Sequence, residues 1–169
     1  MPLVLPSPSG ARISLSDLAH DRELLDAWLR EHRKLWVGMD DKAAAAALLG
    51  GLSFEVMQAL LASGPDGLRT EWPTAPEINL DLAWATWVEG TQSTPVLTYS
   101  IEVVRTGREN SPARTQAIAD LYRPLVMALA AASGLSARAL WRLVTDGVAQ
   151  ACLEAGRLAS DLVRGMVLA

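Results

Sequence analysis

The sequence predicts a helix-dominated α+β fold, with four to five helices and a central antiparallel β-hairpin or small sheet. Three observations carry this. Apolar residues recur at intervals of three and four over most of the chain, the period of a helix with one buried face. Between residues 68 and 105 that period gives way to alternation, the pattern of half-buried strands. The 169 residues are 50% hydrophobic and 20% charged, with a mean hydropathy of +0.18, enough apolar surface to build the core of one domain.

Residues 1–15, rich in Pro, Ser and Gly, read as an extended N-terminal arm, and residues 16–169 as a single domain. From Ser16 the positions Leu18, Leu25, Trp28, Leu29, His32, Leu35 and Trp36 line one face of a helix. Asp17, Asp21 and Glu23 at its start and Arg30, Arg33 and Lys34 at its end complement the helix dipole. Asp40 or Asp41 caps a second helix through the alanine run, with Gly50-Gly51 expected to kink or break it before 53–61. That stretch contains Gly50, Gly51, Ser53, Glu55 and Gln58, and reads as a buried helix or helix pair, because a membrane span needs about 20 predominantly apolar residues. Ser63-Gly-Pro-Asp-Gly ends it.

Two strands, 79–89 and 95–105, then form a hairpin around a turn at 90–94, with a third strand expected near 68–72. After a loop at 106–110, Ser111-Pro112 marks a helix start. Ile118, Leu121, Tyr122, Leu125, Val126, Leu129 and Ala132 share one face of that helix. Pro124 is expected to kink it, since an interior proline costs about 3 kcal/mol. Gly134 stops it and Ser136 caps the next. Leu140, Trp141, Val144, Val148, Cys152, Ala155, Leu158 and Leu162 mark a long last helix. No internal repeat is visible.

The formal charge of −4, the pI near 5.1 and the scatter of the 15 cations argue against a nucleic-acid partner. The N-terminus has no cationic segment and is broken by prolines, so the chain reads as cytoplasmic. With one cysteine, an internal disulfide and a multi-thiolate metal site of this chain are both excluded. Walker, dinucleotide, His-Glu-x-x-His and nucleophile-elbow motifs do not occur. His20 and His32 fall twelve residues apart on one predicted helix, about 120° apart around it, and do not bind one metal together. His32 reads as a core-edge or capping residue, with haem ligation or acid–base work as the functional alternative. Cys152 shares a predicted stripe with Val148, Ala155 and Ala159, an apolar setting for an inert thiol.

Six tryptophans stand beside one phenylalanine and two tyrosines. Each indole N–H wants a partner when buried. Trp84 and Trp87 fall on opposite faces of their strand, so one is free to face a cleft while the other packs. Arg138 and Arg142 flank Trp141 four residues apart, which suits either an anionic or hydroxamate ligand or plain solvation. Asp146 and Glu102 are the candidate acid–base groups.

The segment 118–144 reads Ile-Ala-Asp-Leu-Tyr-Arg-Pro-Leu-Val-Met-Ala-Leu-Ala-Ala-Ala-Ser-Gly-Leu-Ser-Ala-Arg-Ala-Leu-Trp-Arg-Leu-Val. It resembles the FhuF-type ferric-siderophore reductases and the related C-terminal region of the IucA/IucC siderophore synthetases. In that family a Leu-x-x-Pro-Leu-Val-x-Ala-Leu helix, a small-residue Gly turn and a Ser-x-x-x-Leu-Trp helix start recur in this order. Leu121, Pro124, Leu125, Val126, Ala128, Leu129, Gly134, Ser136, Leu140 and Trp141 hold those positions, and the close match covers about a sixth of the chain. Arg142 and Leu143 stand where the family has a small residue and an asparagine. The cysteines that hold a 2Fe–2S cluster in the reductases have no counterpart before Ala169.

The resemblance therefore implies a reductase body without its redox tail, needing no cofactor and holding no metal. Such a body would bind or process a siderophore-like small metabolite in a pocket formed by Trp84, Trp87, Trp141, Arg138 and Arg142. Two other readings stay open. One is a biosynthetic enzyme of the cyclase or isomerase type in a natural-product pathway, with Asp146 or Glu102 as its acid–base groups. The other is a structural partner of a cysteine-bearing redox subunit. Homodimerisation is compatible with all three.

Overall fold

Ser14 decides where the first helix begins. Its hydroxyl accepts the Asp17 N–H at 3.0 Å while the Asp17 carboxylate accepts the Ser14 N–H at 2.9 Å, a reciprocal cap that satisfies donors the helix itself cannot. Those bonds, led by the backbone one, hold the Asp17 carboxyl below its ordinary pKa. The structure, a computed structural model, describes residues 13–62, 72–89, 91–104 and 114–168. Helix α1 spans Leu15–His20. Asp21 then takes an extended conformation and accepts the Leu24 N–H at 3.1 Å, opening α2 at Arg22–Arg33. The single helix expected over this stretch is thus two, because Asp21 caps the second instead of continuing the first. Of the expected arm, residues 1–12 lie outside the described residues. Its end is structural: Ile13–Ser14 form strand β1 and Leu15 is fully buried.

Gly38, at φ 84°, turns the chain, and Asp40 caps α3, Asp41–Ala62, by accepting the Ala43 N–H at 2.8 Å. This helix runs unbroken through Gly50-Gly51. It buries Ala44, Ala45, Leu48, Leu49, Leu52, Ser53, Val56, Met57 and Leu60, more of its circumference than an amphipathic surface helix would. Among the described residues it is the one helix long and apolar enough to cross a membrane, and half of its most apolar stretch is buried inside the fold.

A short 3-10 turn at Ala75–Glu77 leads into β2, Ile78–Glu89, which pairs antiparallel with β3, Gln92–Val103. The register runs from Ile78↔Val103 to Glu89↔Gln92, so Gln92, Ser93 and Thr94, expected in the turn, belong to the strand. The third strand of the sheet is β1, paired to β2 at Ile13↔Leu80, giving the order β1-β2-β3. The strand expected near 68–72 falls, apart from Trp72, outside the described residues. Ile78, Leu80, Leu82 and Trp84 face the helices together with their partners Val103, Ile101, Tyr99 and Leu97. Beyond Ala85 and Val96 the hairpin is exposed on both strands.

Helix α4, Arg114–Ser133, continues through Pro124, and the expected start at Ser111-Pro112 lies outside the described residues. Gly134, at φ 74°, ends it, and Ser136 opens α5, Ala137–Leu168, by accepting the Ala139 N–H at 3.2 Å. The result is the helix-dominated α+β fold that the periodicity predicts, with five helices and a small antiparallel sheet among the described residues.

Helices α3 and α5 cross with their backbones close together. A Cβ on Gly147 of α5 would collide with Ser53 Oγ and lie 3.1 Å from the Gly50 carbonyl oxygen, whereas a Cβ on Gly50 meets nothing within 4 Å. Gly147→Ala is therefore expected to lose about 1–3 kcal/mol through overpacking despite its better helix propensity. Gly50→Ala is expected to gain about 0.5–1 kcal/mol. Urea denaturation of the two variants measures both, and a stabilised Gly147→Ala would contradict the crossing.

Candidate functional site

His32 follows Trp28 by one turn on the buried face of α2 and is 1% exposed. A buried imidazole needs two partners. One is the Trp28 carbonyl, 2.8 Å from Nδ1, which can only accept, so Nδ1 carries the hydrogen. The other is the Tyr99 hydroxyl, 2.6 Å from Nε2, which must then donate to the free lone pair. Tyr99 reaches it because its place in β3, opposite Leu82, turns the side chain toward the helices. Gly51 of α3 makes the room, since a Cβ there would lie 2.9 Å from Tyr99 Cε2. The Tyr99 ring stacks on His32 at 5.9 Å and lies tilted against Trp28 at 6.3 Å.

Burial pushes the His32 pKa down and the Tyr99 pKa up, the latter with help from the negative charge of Glu55 on α3. Glu55, partly desolvated, is itself raised. Both members of the pair are therefore neutral at neutral pH. They hold the hairpin on α2 and α3. His32 is a core residue, the first of the two readings. His20 sits on α1, a different helix, with its Nδ1 2.7 Å from the Ser16 carbonyl.

A second, wetter link lies two residues along the strand. The half-buried Trp84 donates its indole N–H to Glu31 Oε2 at 2.9 Å, and Glu31 Oε1 accepts from Lys34 at 2.6 Å. Lys34 first, and Trp84 second, hold the Glu31 carboxyl below its ordinary range. Among the described residues β2 has no strand partner on this edge beyond Leu80. Trp84 thus forms an aromatic wall at an open border between hairpin and α2, with a charged rim. Trp87 is on the other face of β2 and 63% exposed, so the two indoles do point opposite ways.

The remaining expected site residues lie elsewhere. Trp141 is half-buried and packs on the core from α5, while Arg138, Arg142 and Asp146 follow one another at four-residue spacing along an exposed stripe of that helix. Glu102 is exposed on the outer face of β3, across the strand from Asn79. The two candidate acid–base carboxylates thus stand on different elements, Asp146 on α5 and Glu102 on β3. Cys152, expected on an apolar stripe, is exposed. The stripe of α5 that enters the core runs through Leu140, Val144, Gly147 and Ala151, rotated from the 144-148-152-155 row by one residue. Among the described residues, no three His, Cys, Asp or Glu side chains come together as a metal-ligand set.

Sequence reasoning passed over Tyr99, Glu31, Glu55 and Gly51. The available signal was His32 itself: a histidine one turn from a tryptophan on an apolar face needs a polar partner from another element. Comparison with known proteins finds no matching family model, curated protein or solved structure.

Tyr99→Phe leaves the ring and removes the donor, orphaning a buried Nε2. The expected loss is about 1–3 kcal/mol of unfolding free energy. Thermal or urea unfolding measures it, and an unchanged stability would mean that the Tyr99–His32 contact contributes nothing.

Proposed function

We propose that this chain is an FhuF-like body that binds a siderophore-like small metabolite, in the cytoplasm and without iron–sulfur redox chemistry. The resembling segment supports the family reading through its packing: Leu121, Leu125, Val126, Leu129 and Leu140 are buried, and Gly134 and Ser136 make the turn and cap between α4 and α5. The observation that carries the binding reading is Trp84. Its side chain is partly exposed yet held by a 2.9 Å bond to Glu31, which gives a ligand a pre-oriented aromatic surface at low ordering cost. The open edge of β2 and the Glu31–Lys34 rim supply polar contacts around it. A ligand is thus expected against Trp84, and the Arg138–Arg142 stripe of α5 is a separate surface in this reading.

Titration with ferric trihydroxamates, read by tryptophan fluorescence, tests this. Saturable quenching at micromolar protein is expected. Trp84→Leu should weaken binding about two- to tenfold, the worth of one aromatic contact at about 0.5–1.5 kcal/mol, with its fold checked by circular dichroism. The double substitution Arg138→Ala and Arg142→Ala should leave affinity as it was. A ten- to hundredfold loss in that double variant, the scale of a lost charged hydrogen bond at about 1.5–3 kcal/mol, would move the site to α5. Absence of saturable quenching would overturn the siderophore reading.

A further inference from the structure

The Tyr99–His32 and Trp84–Glu31 bonds join the distal hairpin to α2, and Tyr99 also lies against Leu48 and Gly51 of α3. Past them both strands are exposed. We propose that the His32–Tyr99 contact is an acid-sensitive latch: protonation of His32 releases the β2–β3 hairpin from α2 and α3 while the helical core stays folded. The inference stands apart from the identity of any ligand.

The geometry sets the sensitivity. With Nδ1 committed to the Trp28 carbonyl, Nε2 is the nitrogen that takes a proton. An Nε2–H would face the Tyr99 hydroxyl hydrogen at 2.6 Å, so Tyr99 must turn its O–H away. The Leu48 carbonyl, 3.4 Å from that oxygen, is the acceptor in reach. Hydrogen bonding can be rearranged in this way, but burial still penalises the charge. Among the described residues no carboxylate comes within ion-pair distance of the ring. On α2, the charge of neighbouring Glu31 favours the imidazolium, a smaller effect than burial, while its oxygens are bonded to Lys34 and Trp84. On α3, Glu55 faces Tyr99 and is itself desolvated. On β3, Glu102 lies on the outer face. A buried imidazolium with no ion-pair partner among the described residues is costly, and the element that covers it is the β2–β3 hairpin through Tyr99.

The sign follows from linkage. With the hairpin open, His32 titrates near its ordinary value of 6.5, and burial lowers it in the closed form. As pH falls through about 6.5, the open form takes up a proton that the closed form refuses, and closure weakens. Glu31, held below its ordinary range, stays ionised throughout. Glu55, raised in the closed form, works the other way and favours closure as pH falls. If the closed form excludes the proton, the opening equilibrium rises about tenfold between pH 7.5 and 5.5.

Hydrogen–deuterium exchange of the intact chain at those two pH values, corrected for the intrinsic rate, reads this directly. A two-stranded hairpin freed from the helices is marginal in water, so the expected result is an approximately tenfold loss of protection confined to the sheet, with α3, α4 and α5 unchanged. His32→Gln keeps an acceptor for the Tyr99 hydroxyl and does not titrate, so its hairpin protection should be the same at both pH values. Constant hairpin protection in the parent, an equal loss across hairpin and helices, or the same loss in His32→Gln would each overturn the latch. The parent's distribution of exchange decides the matter by itself should the variant fold poorly.

Discussion

The close crossing of α3 and α5 at Gly147 is the constraint on which the rest of the molecule depends. Without a side chain at 147, the backbone of α5 comes against Gly50, Ser53 and Phe54, and α3 becomes an interior helix. Interior placement then dictates its composition. Ser53, fully buried, has to satisfy its hydroxyl within the helix, which it does on the Gly50 carbonyl at 3.1 Å. Tyr122 of α4 is likewise buried with its hydroxyl 3.4 Å from the Ser53 carbonyl, and desolvation raises its pKa. One turn of α3 therefore receives both long helices.

With those sides occupied, the sheet has the remaining face of α3, and the adjacent glycine serves it. Gly51 admits Tyr99 as Gly147 admits the α3 backbone. A Gly-Gly pair inside a helix normally weakens it. Here the helix survives because tertiary packing supplies far more than propensity removes. The sheet is held by few polar contacts, each joining elements distant in sequence: His32 with Tyr99, and Glu31 with Trp84. One is dry and titratable, the other partly wet and ionic.

The charged residues of α5 tell a different story. Arg138, Arg142 and Asp146 occupy a solvated stripe, while the same helix contributes Leu140, Val144 and Ala151 to the core. Such a division is what an amphipathic surface helix requires. The resemblance in 118–144 rests on the inward half of that division, so it speaks for packing more than for chemistry.

Local features were legible in the sequence because their causes are local. Asp40, Gly134 and Ser136 act on backbone within four residues and were readable as caps and a stop; the alternation from Ile78 to Trp84 and the three-four spacing in α4 follow from the geometry of one element. Asp21 was misjudged because its periodic neighbours suggested continuation while its side chain preferred to cap. The tertiary structure decided the rest. Cys152 is exposed and Gly147 faces α3 because α5 meets α3 at one rotation of its axis, and a 3.6-residue period leaves neighbouring rows nearly equivalent until a partner selects one. Nothing near His32 in the chain announces Tyr99, 67 residues away. That pairing exists because the strand register, the path of α2 and a missing Cβ at Gly51 coincide, and all three are set by how the elements pack.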